Sequence, residues 1–332
     1  MKILLDDIPF NESMYPFGKV RSMVHCRIGI LTIYEKWNHY FPGKVEVASE
    51  RSQYYENEKE YWMVPANIIP SAKDFQIILQ KNESAKFSDF RVIEFPWHIF
   101  QYNDWAIRQD FETITAGRTS SPIPEGNRCS YQENIFIEEG AQVKWSILNA
   151  EMGPIYVGRN AEIMEGSLLR GPVSIGENAT VKMGAKIYGA TSIGPYCLAG
   201  GEIKNAVLFG YSNKAHDGYL GDAVIGEWCN LGAGTSNSNL KNNGSKVKVW
   251  LETKHNYEIA GNKCGLMMGD YSRSAINTSF NTGTVVGVCC NIYGNNIPEK
   301  FIKDFSWGEQ RYHFEKAISD IRNWKKFKNK KV

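Results

Sequence analysis

The chain has 332 residues, of which 42% are hydrophobic and 22% charged, a composition that excludes a disordered or fibrous protein. Its 38 Lys and Arg residues nearly balance 36 Asp and Glu residues, so the net charge of +2 offers no bulk attraction to nucleic acid or to a membrane surface. No apolar run reaches the roughly 18 to 20 residues of a membrane span, and the start MKILLDDIPF has two aspartates where a signal peptide needs its apolar core. We therefore expect a cytoplasmic protein whose partners are small molecules, with no nucleic-acid or membrane partner.

Residues 1–115 show no regular repeat and are expected to form a small α/β domain. Ile3 to Leu5 and Val45 to Ala48 have the composition of strands, and between them apolar residues recur at helical spacing. A helix or helix pair is predicted after Pro96 and ends at Ala116, where Gly117 stops it. A linker is expected over residues 116–132.

Residues 133–296 carry apolar side chains six positions apart. A period of six fits neither the 3.6-residue turn of an α-helix nor the two-residue alternation of an ordinary strand. It is typical of a parallel β-helix, in which each six-residue unit forms one wall and turns one aliphatic side chain inward. The positions in register are Ile137, Val143, Val157, Ile163, Leu169, Ile175, Val181, Ile187, Ile193, Ala199, Ile225 and Leu231, and more loosely Met268, Phe280, Val286 and Ile292.

Residues 297–332 are predicted to form an amphipathic helix followed by a basic tail, because apolar residues recur from Phe314 to Trp324 at helical spacing. The lysines of the tail are expected to form a solvated end rather than an anion site. Elsewhere, seven cysteines without a CxxC pair indicate reduced, mostly buried thiols and neither a disulfide framework nor a metal site.

Two polar segments interrupt the aliphatic repeat, at 204–219 and 232–248, and sites are usually placed on loops that leave a rigid scaffold. His216 is a candidate general base because imidazole accepts a proton near neutral pH, although it could equally cap a corner. The Lys204 ammonium suits a phosphate, its alternative being an exposed wall residue. The glycines around Ala233 would let backbone N–H groups approach an oxyanion, or would serve only to form a tight corner.

The segment from Glu202 to Asn239 resembles the acetyltransferase domain of the GlmU family, the bifunctional UDP-N-acetylglucosamine pyrophosphorylase/glucosamine-1-phosphate N-acetyltransferases, and of their archaeal relatives. The strings YLGD at 219–222 and NLGAGT at 230–235 carry the likeness. The strings ILLDDIP, RIGILTIYEKW and FNTGTVVGVCCNIYG resemble Bacteroidetes-type sugar nucleotidyltransferases with a hexapeptide-repeat acyltransferase domain. The resemblance implies a mainly β protein, with a left-handed parallel β-helix behind a small, shortened nucleotidyltransferase-like domain.

The same resemblance implies an acetyl-CoA-dependent N-acetyltransferase acting on an amino-sugar 1-phosphate such as glucosamine 1-phosphate, in a homotrimer with active sites between subunits. His216 would be the catalytic base. Two departures are Leu240, which stands where the bacterial enzymes have a tyrosine, and the absence of an arginine near Lys186 or Tyr188 for the phosphate. The implied substrate-binding residues are Lys204, Tyr219, Asn239, Lys186 and Lys248, and the implied acetyl-CoA contacts are Ala233, Gly234, Ala275 and Val286.

The N-terminal domain departs from the nucleotidyltransferase pattern. Its first strand lacks the following glycine-rich loop whose amides would cradle a triphosphate, because no glycine occurs before Gly18. Asp6, Asp7, Arg21 and Arg27 remain candidates for a Mg²⁺ and phosphate site. The alternatives to the acetyltransferase are therefore a Mg²⁺-dependent sugar-1-phosphate nucleotidyltransferase, alone or as part of a bifunctional enzyme, and a catalytically degenerate scaffold that binds a sugar nucleotide.

The charged and aromatic segment from Trp250 to Lys263 interrupts the coil as an insertion. Its composition suits a hairpin over the site, but a plain surface loop is the expectation.

Overall fold

The computed structural model describes residues 2–50, 61–71 and 90–328. They form a mainly β protein in which a parallel β-solenoid follows a small α/β region, as predicted. No helix in these three stretches has the length and apolarity needed to cross a membrane.

The N-terminal region has a three-stranded parallel sheet. Its central strand, Lys2–Asp6, lies between Val45–Val47 and Tyr61–Pro65. A capping box closes the start of the first helix, because Thr32 and Glu35 each bond the other's backbone N–H. The helices of the described residues are α1 (Ile33–Tyr40), α2 (His98–Gln101), α3 (Asn103–Thr115) and, at the far end of the chain, α4 (Phe314–Phe327). Two short antiparallel pairs join Arg27–Ile28 with Leu31–Thr32 and Ile68–Ile69 with Arg91–Val92.

The solenoid has three faces, which we name wall A, wall B and wall C in the order in which the chain passes through them. Wall A contains Ile135–Ile137, Ile155–Val157, Val173–Ile175, Thr191–Ile193, Leu266–Met268, Thr284–Val286 and Phe301–Ile302. Wall B contains Gln142–Val143, Glu162–Ile163, Thr180–Val181, Leu198–Ala199, Asn213–Lys214, Asn230–Leu231, Arg273–Ser274, Asn291–Ile292 and Ser306–Trp307, closed by the antiparallel strand Gln310–Arg311.

Wall C begins within the segment expected to be a linker. Its strands are Arg128–Ser130, Ile147–Asn149, Leu168–Arg170 and Lys186–Tyr188, continued by Ser236–Asn237 and Ser279–Phe280. Two longer strands, Glu202–Leu208 and Tyr219–Ile225, run from wall C around the corner into wall A. Short 3-10 helices occur at Met23–His25, Ala48–Glu50, Gln132–Asn134 and Glu252–Lys254.

The six-residue repeat is confirmed as the inward-facing ladder of the solenoid. Every position predicted in register, from Ile137 to Ile292, is buried in one hydrophobic cluster inside the coil. Each aliphatic side chain thereby packs on its equivalents in the coils above and below, so apolar burial accumulates with each added coil.

The N-terminal region shares a hydrophobic cluster with the outer face of wall A. Val207, Val224, Met267 and Val285 point outward from successive coils and pack with buried residues of the N-terminal sheet and helices. These four rungs of wall A are therefore covered on both faces, as is usual for parallel sheets.

A buried ion pair joins the same two parts of the chain. The Arg21 guanidinium bonds the carboxylate of Asp270, whose side chain is 0% exposed, and lies 3.2 Å from the Glu227 carboxylate. The Asp270 carboxylate also accepts the Glu227 backbone N–H at 2.8 Å. Burial outweighs Arg21 and raises the pKa of Asp270 to about 7.

The expectation of a plain surface loop at 250–263 is wrong. The segment belongs to an antiparallel hairpin of Val247–Leu251 and Asn256–Gly261. Val247 and Val249 turn into the cluster shared with the N-terminal region, and the Gln101 amide donates to the Ala260 carbonyl at 2.8 Å. These apolar side chains give the insertion a fixed position.

The boundary expected at residue 297 is corrected, because Phe301–Ile302, Ser306–Trp307 and Gln310–Arg311 still pair with the solenoid walls. The C-terminal helix follows as α4 and lies on wall B. The Arg273 guanidinium stacks over the Trp324 ring at 4.9 Å. Lys325 lies 5.3 Å from the Trp228 ring centre, and the Lys328 ammonium donates to the Asn213 side chain at 2.8 Å. This part of the basic segment therefore packs on the coil and is not a wholly solvated end.

Candidate functional site

The corners between walls B and C bring several of the predicted residues into one column. His216 is exposed at one corner, and the next corner carries Ala233 and Gly234, whose N–H donates to the Asp217 carbonyl at 3.0 Å. The exposed Ala275 lies at the corner after that, since the Asn277 N–H donates to the Ala233 carbonyl at 2.7 Å. Stacked coils are about 4.8 Å apart, so the column forms a continuous edge.

Among the described residues, the backbone at this edge has N–H groups without an acceptor, including those of His216, Ala233 and Ile276. The Gly234 N–H is not available to a ligand, because it already donates to the preceding coil. Within the described part of the chain, the Ala233 N–H has no acceptor. Gly232 is required here, because a Cβ on it would lie 2.5 Å from the Ala275 carbonyl oxygen.

Wall C places a row of cationic and aromatic side chains beside that edge. Arg170 pairs in register with Tyr188, and Tyr188 pairs with Lys204, so the three lie on one outer ladder. The Lys204 ammonium is 5.6 Å from the Tyr188 ring centre. Among the described residues, neither Arg170, Lys186 nor Lys204 forms an ion pair. Their charge is available to an anion.

A cleft of about 370 Å³ opens on this face, lined by Arg170, Lys186 and Tyr188 with neighbouring apolar side chains. The Tyr188 hydroxyl donates to the Glu202 carboxylate at 2.6 Å, and this bond raises the pKa of Tyr188 to about 12. Tyr188 therefore stays neutral beside the cations. Arg170, which the sequence analysis did not single out, lies one rung from Tyr188 on this ladder.

Tyr219 and Asn239 belong to one hydrogen-bond network with Asp222. The Asn239 amide donates to the Tyr219 hydroxyl at 3.0 Å and to the Asp222 carboxylate, whose other oxygen accepts from the Asn205 amide at 2.6 Å. Burial, reinforced by Asp222, raises the pKa of Tyr219 to about 12. The sequence motif contained Asp222 and Asn205, but nothing in it assigned them a contact.

Lys214 lies inside the solenoid at a position that other coils fill with aliphatic residues. It pairs in register with Ala199, is 1% exposed, and donates to the Gly200 carbonyl at 3.2 Å and to the His216 carbonyl. Desolvation lowers the pKa of Lys214 to about 8, although the Asp217 carboxylate acts in the opposite direction. The amine thereby ties the His216 corner to the preceding one.

Replacing Lys214 with methionine is expected to remove a pH dependence of stability. Between pH 8 and 10.5 the unfolded chain holds the proton that the folded chain has lost, so wild-type stability gains from this group as pH rises. The gain over that window is roughly 3 kcal/mol. Urea unfolding of both proteins at pH 7.5 and pH 10 measures this change in unfolding free energy. An equal change with pH in the two proteins would contradict the assignment.

Two predicted residues lie apart from this site. Val286 is 0% exposed and packs inside the coil, so its side chain is closed to a cofactor and only its main chain remains as a contact. Lys248 is exposed on the hairpin, where its carbonyl accepts from the Lys300 ammonium at 2.9 Å. No contact joins Lys248 to the network or to the ladder among the described residues.

The N-terminal candidates for a Mg²⁺ and phosphate site are engaged by the fold itself. Asp7 is fully buried and accepts hydrogen bonds from neighbouring side chains and backbone. Arg21 is paired with Asp270, and Arg27 donates to a backbone carbonyl. Asp6 ends the central strand and is half-buried.

The described side chains form neither a metal-binding cluster nor a disulfide. Over residues 2–50, 61–71 and 90–328, no three His, Cys, Asp or Glu side chains are grouped to hold a metal ion. All seven cysteines are free thiols, and all but Cys129 are buried.

Comparison with known proteins gives one family match. Residues 71–119 match the sequence model of the sugar nucleotidyl transferase family, a span that includes α2 and α3. Part of it, residues 72–89, lies outside the described residues.

Curated relatives match about a third of the chain. The GlmU protein of Methanocaldococcus jannaschii is 32% identical over 102 residues, which is 31% of this chain and 24% of the relative. The chain is similar to GlmU-type bifunctional proteins. The bifunctional sugar-1-phosphate nucleotidylyltransferase/acetyltransferase of Sulfurisphaera tokodaii is 32% identical over 108 residues, 32% of this chain and 26% of that protein. The match thus spans about a quarter of the length of these GlmU-type relatives.

Solved structures were matched as well. AntD, an N-acyltransferase from Bacillus cereus in complex with dTDP and 3-hydroxybutyryl-CoA, aligns over 61% of this chain and 92% of its own with 11% identity and a TM-score of 0.26. A hexapeptide transferase family protein from Anaplasma phagocytophilum aligns over 61% and 91% with 14% identity and a TM-score of 0.16.

Proposed function

We propose that the protein is an acetyl-CoA-dependent N-acetyltransferase acting on an amino-sugar 1-phosphate, of which glucosamine 1-phosphate is the type. The observation that carries the proposal is the adjacency of a histidine corner, a free backbone N–H and an unpaired cationic ladder. His216 removes a proton from the amine as its nitrogen attacks the thioester carbonyl, and the C–S bond breaks to release CoA. The Ala233 N–H stabilises the oxyanion that forms in between.

The cations of wall C support a phosphorylated acceptor. Lys204 and Arg170 stand two rungs apart on one ladder, roughly 10 Å, and Lys186 lies on the rung between them. A phosphate group bound by two of these side chains gains charge-assisted hydrogen bonds, for which arginine is geometrically suited. The sugar then extends toward Tyr219 and Asn239, beside His216.

A homotrimer is part of this proposal. The His216 imidazole has no hydrogen-bond partner among the described residues, so none of their side chains orients it. A neighbouring subunit packed along wall C would supply that partner and close the cleft. A solution mass near three times 37.6 kDa is expected, and a monomer would contradict the shared site.

The experiment that tests the proposal is release of free CoA from acetyl-CoA, with glucosamine 1-phosphate and with unphosphorylated glucosamine as acceptors. Turnover is expected with the phosphorylated sugar and at least tenfold less without the phosphate, since a charge-assisted pair contributes about 1.5 to 3 kcal/mol. Equal rates with both acceptors would remove the ladder from substrate binding.

A second candidate, sugar-1-phosphate nucleotidyl transfer, is favoured by the family match over residues 71–119. It requires binding of a nucleoside triphosphate with Mg²⁺. Calorimetry with UTP and MgCl₂ tests it directly: heat of binding would support it, and its absence would leave the degenerate sugar-nucleotide scaffold as the role of the N-terminal region.

A further inference from the structure

Asp222 lies at the centre of the hydrogen-bond network and determines which groups around it donate and which accept. Its carboxylate is 5% exposed and, when ionised, can only accept hydrogen bonds. Both of its neighbours, Asn205 and Asn239, must therefore turn their NH₂ groups toward it. The orientation of two otherwise ambiguous amides follows from one charge.

The orientation imposed by Asp222 fixes the direction of the Asn239 Oδ1 atom. Because its Nδ2 is spent on Asp222 and on the Tyr219 hydroxyl, its Oδ1 points away from the carboxylate. That oxygen has no donor among the described residues, and Asn239 is half-buried. A half-buried, fixed and unpaired acceptor costs free energy unless a ligand or water donates to it.

Tyr219 presents the opposite polarity beside it. Its hydroxyl accepts from Asn239 and keeps its own hydrogen, which has no acceptor among the described residues. The ring lies over Gly221, where an added Cβ would come within 2.2 Å of the hydroxyl oxygen, so glycine leaves the room that the tyrosine occupies, and the bond from Asn239 fixes its hydroxyl. One acceptor and one donor are thereby fixed side by side.

We propose that Asp222 is a positioning residue that sets this acceptor–donor pair, and that the pair reads a donor and an adjacent acceptor on the bound molecule. Vicinal hydroxyl or amino groups on a sugar ring have this pattern, whereas a phosphate, which only accepts at neutral pH, does not. The inference rests on the proposed function and divides its site: the ladder of wall C binds the anion, and the Asn239–Tyr219 pair selects the polar ring. A substrate lacking a donor at that point leaves Oδ1 unpaired and is rejected.

Asp222→Asn tests the proposal with little change of shape. Residue 222 has φ of 47°, a left-handed conformation that asparagine tolerates as well as aspartate. The new amide can accept from only one of its two neighbours, so Asn239 loses its fixed orientation. We expect KM for the acceptor sugar to rise about fivefold to tenfold, with kcat changed less than threefold, as for loss of one neutral hydrogen bond.

Asn205→Gly is the matched control, because it removes the other partner of Asp222 at a φ of 50° that glycine adopts freely. It should reduce the melting temperature about as much as Asp222→Asn while leaving KM within twofold. An equal rise of KM in both variants would reduce Asp222 to a structural role and overturn the proposal.

A spectroscopic measurement separates this inference from the proposed activity. In protein labelled with ¹⁵N-asparagine, the Asn239 side-chain NH₂ signal, assigned by its loss in Asn239→Ala, should exchange slowly with solvent and shift in Asp222→Asn. Fast exchange in the wild type overturns the orientation whatever the enzyme does. A protected signal in a protein without acetyltransferase turnover would uphold the orientation while sinking the proposed reaction.

Discussion

Replacing His216 with alanine is expected to reduce kcat for acetyl transfer by about 10² to 10⁴, the range lost when a positioned general base is removed. The amine nitrogen must lose a proton as its bond to the thioester carbon forms, and without the imidazole that proton must go to water. KM for acetyl-CoA should change little, because the cofactor is expected to meet the backbone at Ala233 rather than the imidazole. Initial rates of CoA release at saturating acceptor measure the effect.

His39→Ala is the matched control, since His39 is exposed on α1 in the N-terminal region. It should retain full activity in the same assay. If His216→Ala keeps its rate within a few-fold of the wild type, proton removal is not assigned to this residue and the corner histidine only caps the turn.

Replacing Asp270 with alanine is expected to cost about 3 to 5 kcal/mol of unfolding free energy, as when one partner of a buried ion pair is removed. Arg21 is only 13% exposed and would keep just the half-exposed Glu227 as a counter-ion. The Glu227 backbone N–H would also lose its acceptor. Urea denaturation followed by tryptophan fluorescence and by circular dichroism measures the loss.

Glu227→Gln makes the comparison specific. Its carboxylate is 32% exposed and less critical, so a change of about 1 kcal/mol or less is expected. Equal losses of unfolding free energy in the two variants would mean that the burial of Asp270 does not make it more important to stability than Glu227.

The inward ladder was predictable because its pattern depends only on residues close together in the chain. From Val157 to Ala199 each aliphatic anchor follows the previous one by six residues, and each is buried. The motif around Tyr219 was also predictable from resemblance. Both rest on residues close together in the chain.

The outer ladder could not be predicted, because it depends on how coils of different length stack. Arg170 pairs with Tyr188, eighteen residues further on, but Lys186 pairs with Glu202, only sixteen further on. Counting back from Lys204 in steps of a constant length therefore does not lead to Arg170, although both residues lie on the same ladder. Hydrogen bonding between coils, rather than local composition, determines that register.

The sequence does contain an indication that part of wall A is buried on its outer face, but the six-residue repeat made it hard to notice. A wall open to solvent alternates inward aliphatic with outward polar residues, as on wall B, where the partly exposed Thr180 and Lys182 flank the buried Val181. At 206–209 and 266–268 every residue is apolar, which is typical of a strand buried on both faces. The hairpin at 247–261 was missed for a related reason, since its buried Val247 and Val249 precede the charged segment.

The shared cluster on wall A also changes how the solenoid should unfold. In a stack whose coils touch only their neighbours, folding behaves as a one-dimensional chain of units that fray from either end. Here the outward residues of four successive rungs, at Val207, Val224, Met267 and Val285, are held by a single packed layer. No middle rung can open without exposing that layer, so hydrogen exchange of these four rungs should report one common opening free energy, while the coils before Val173 exchange independently.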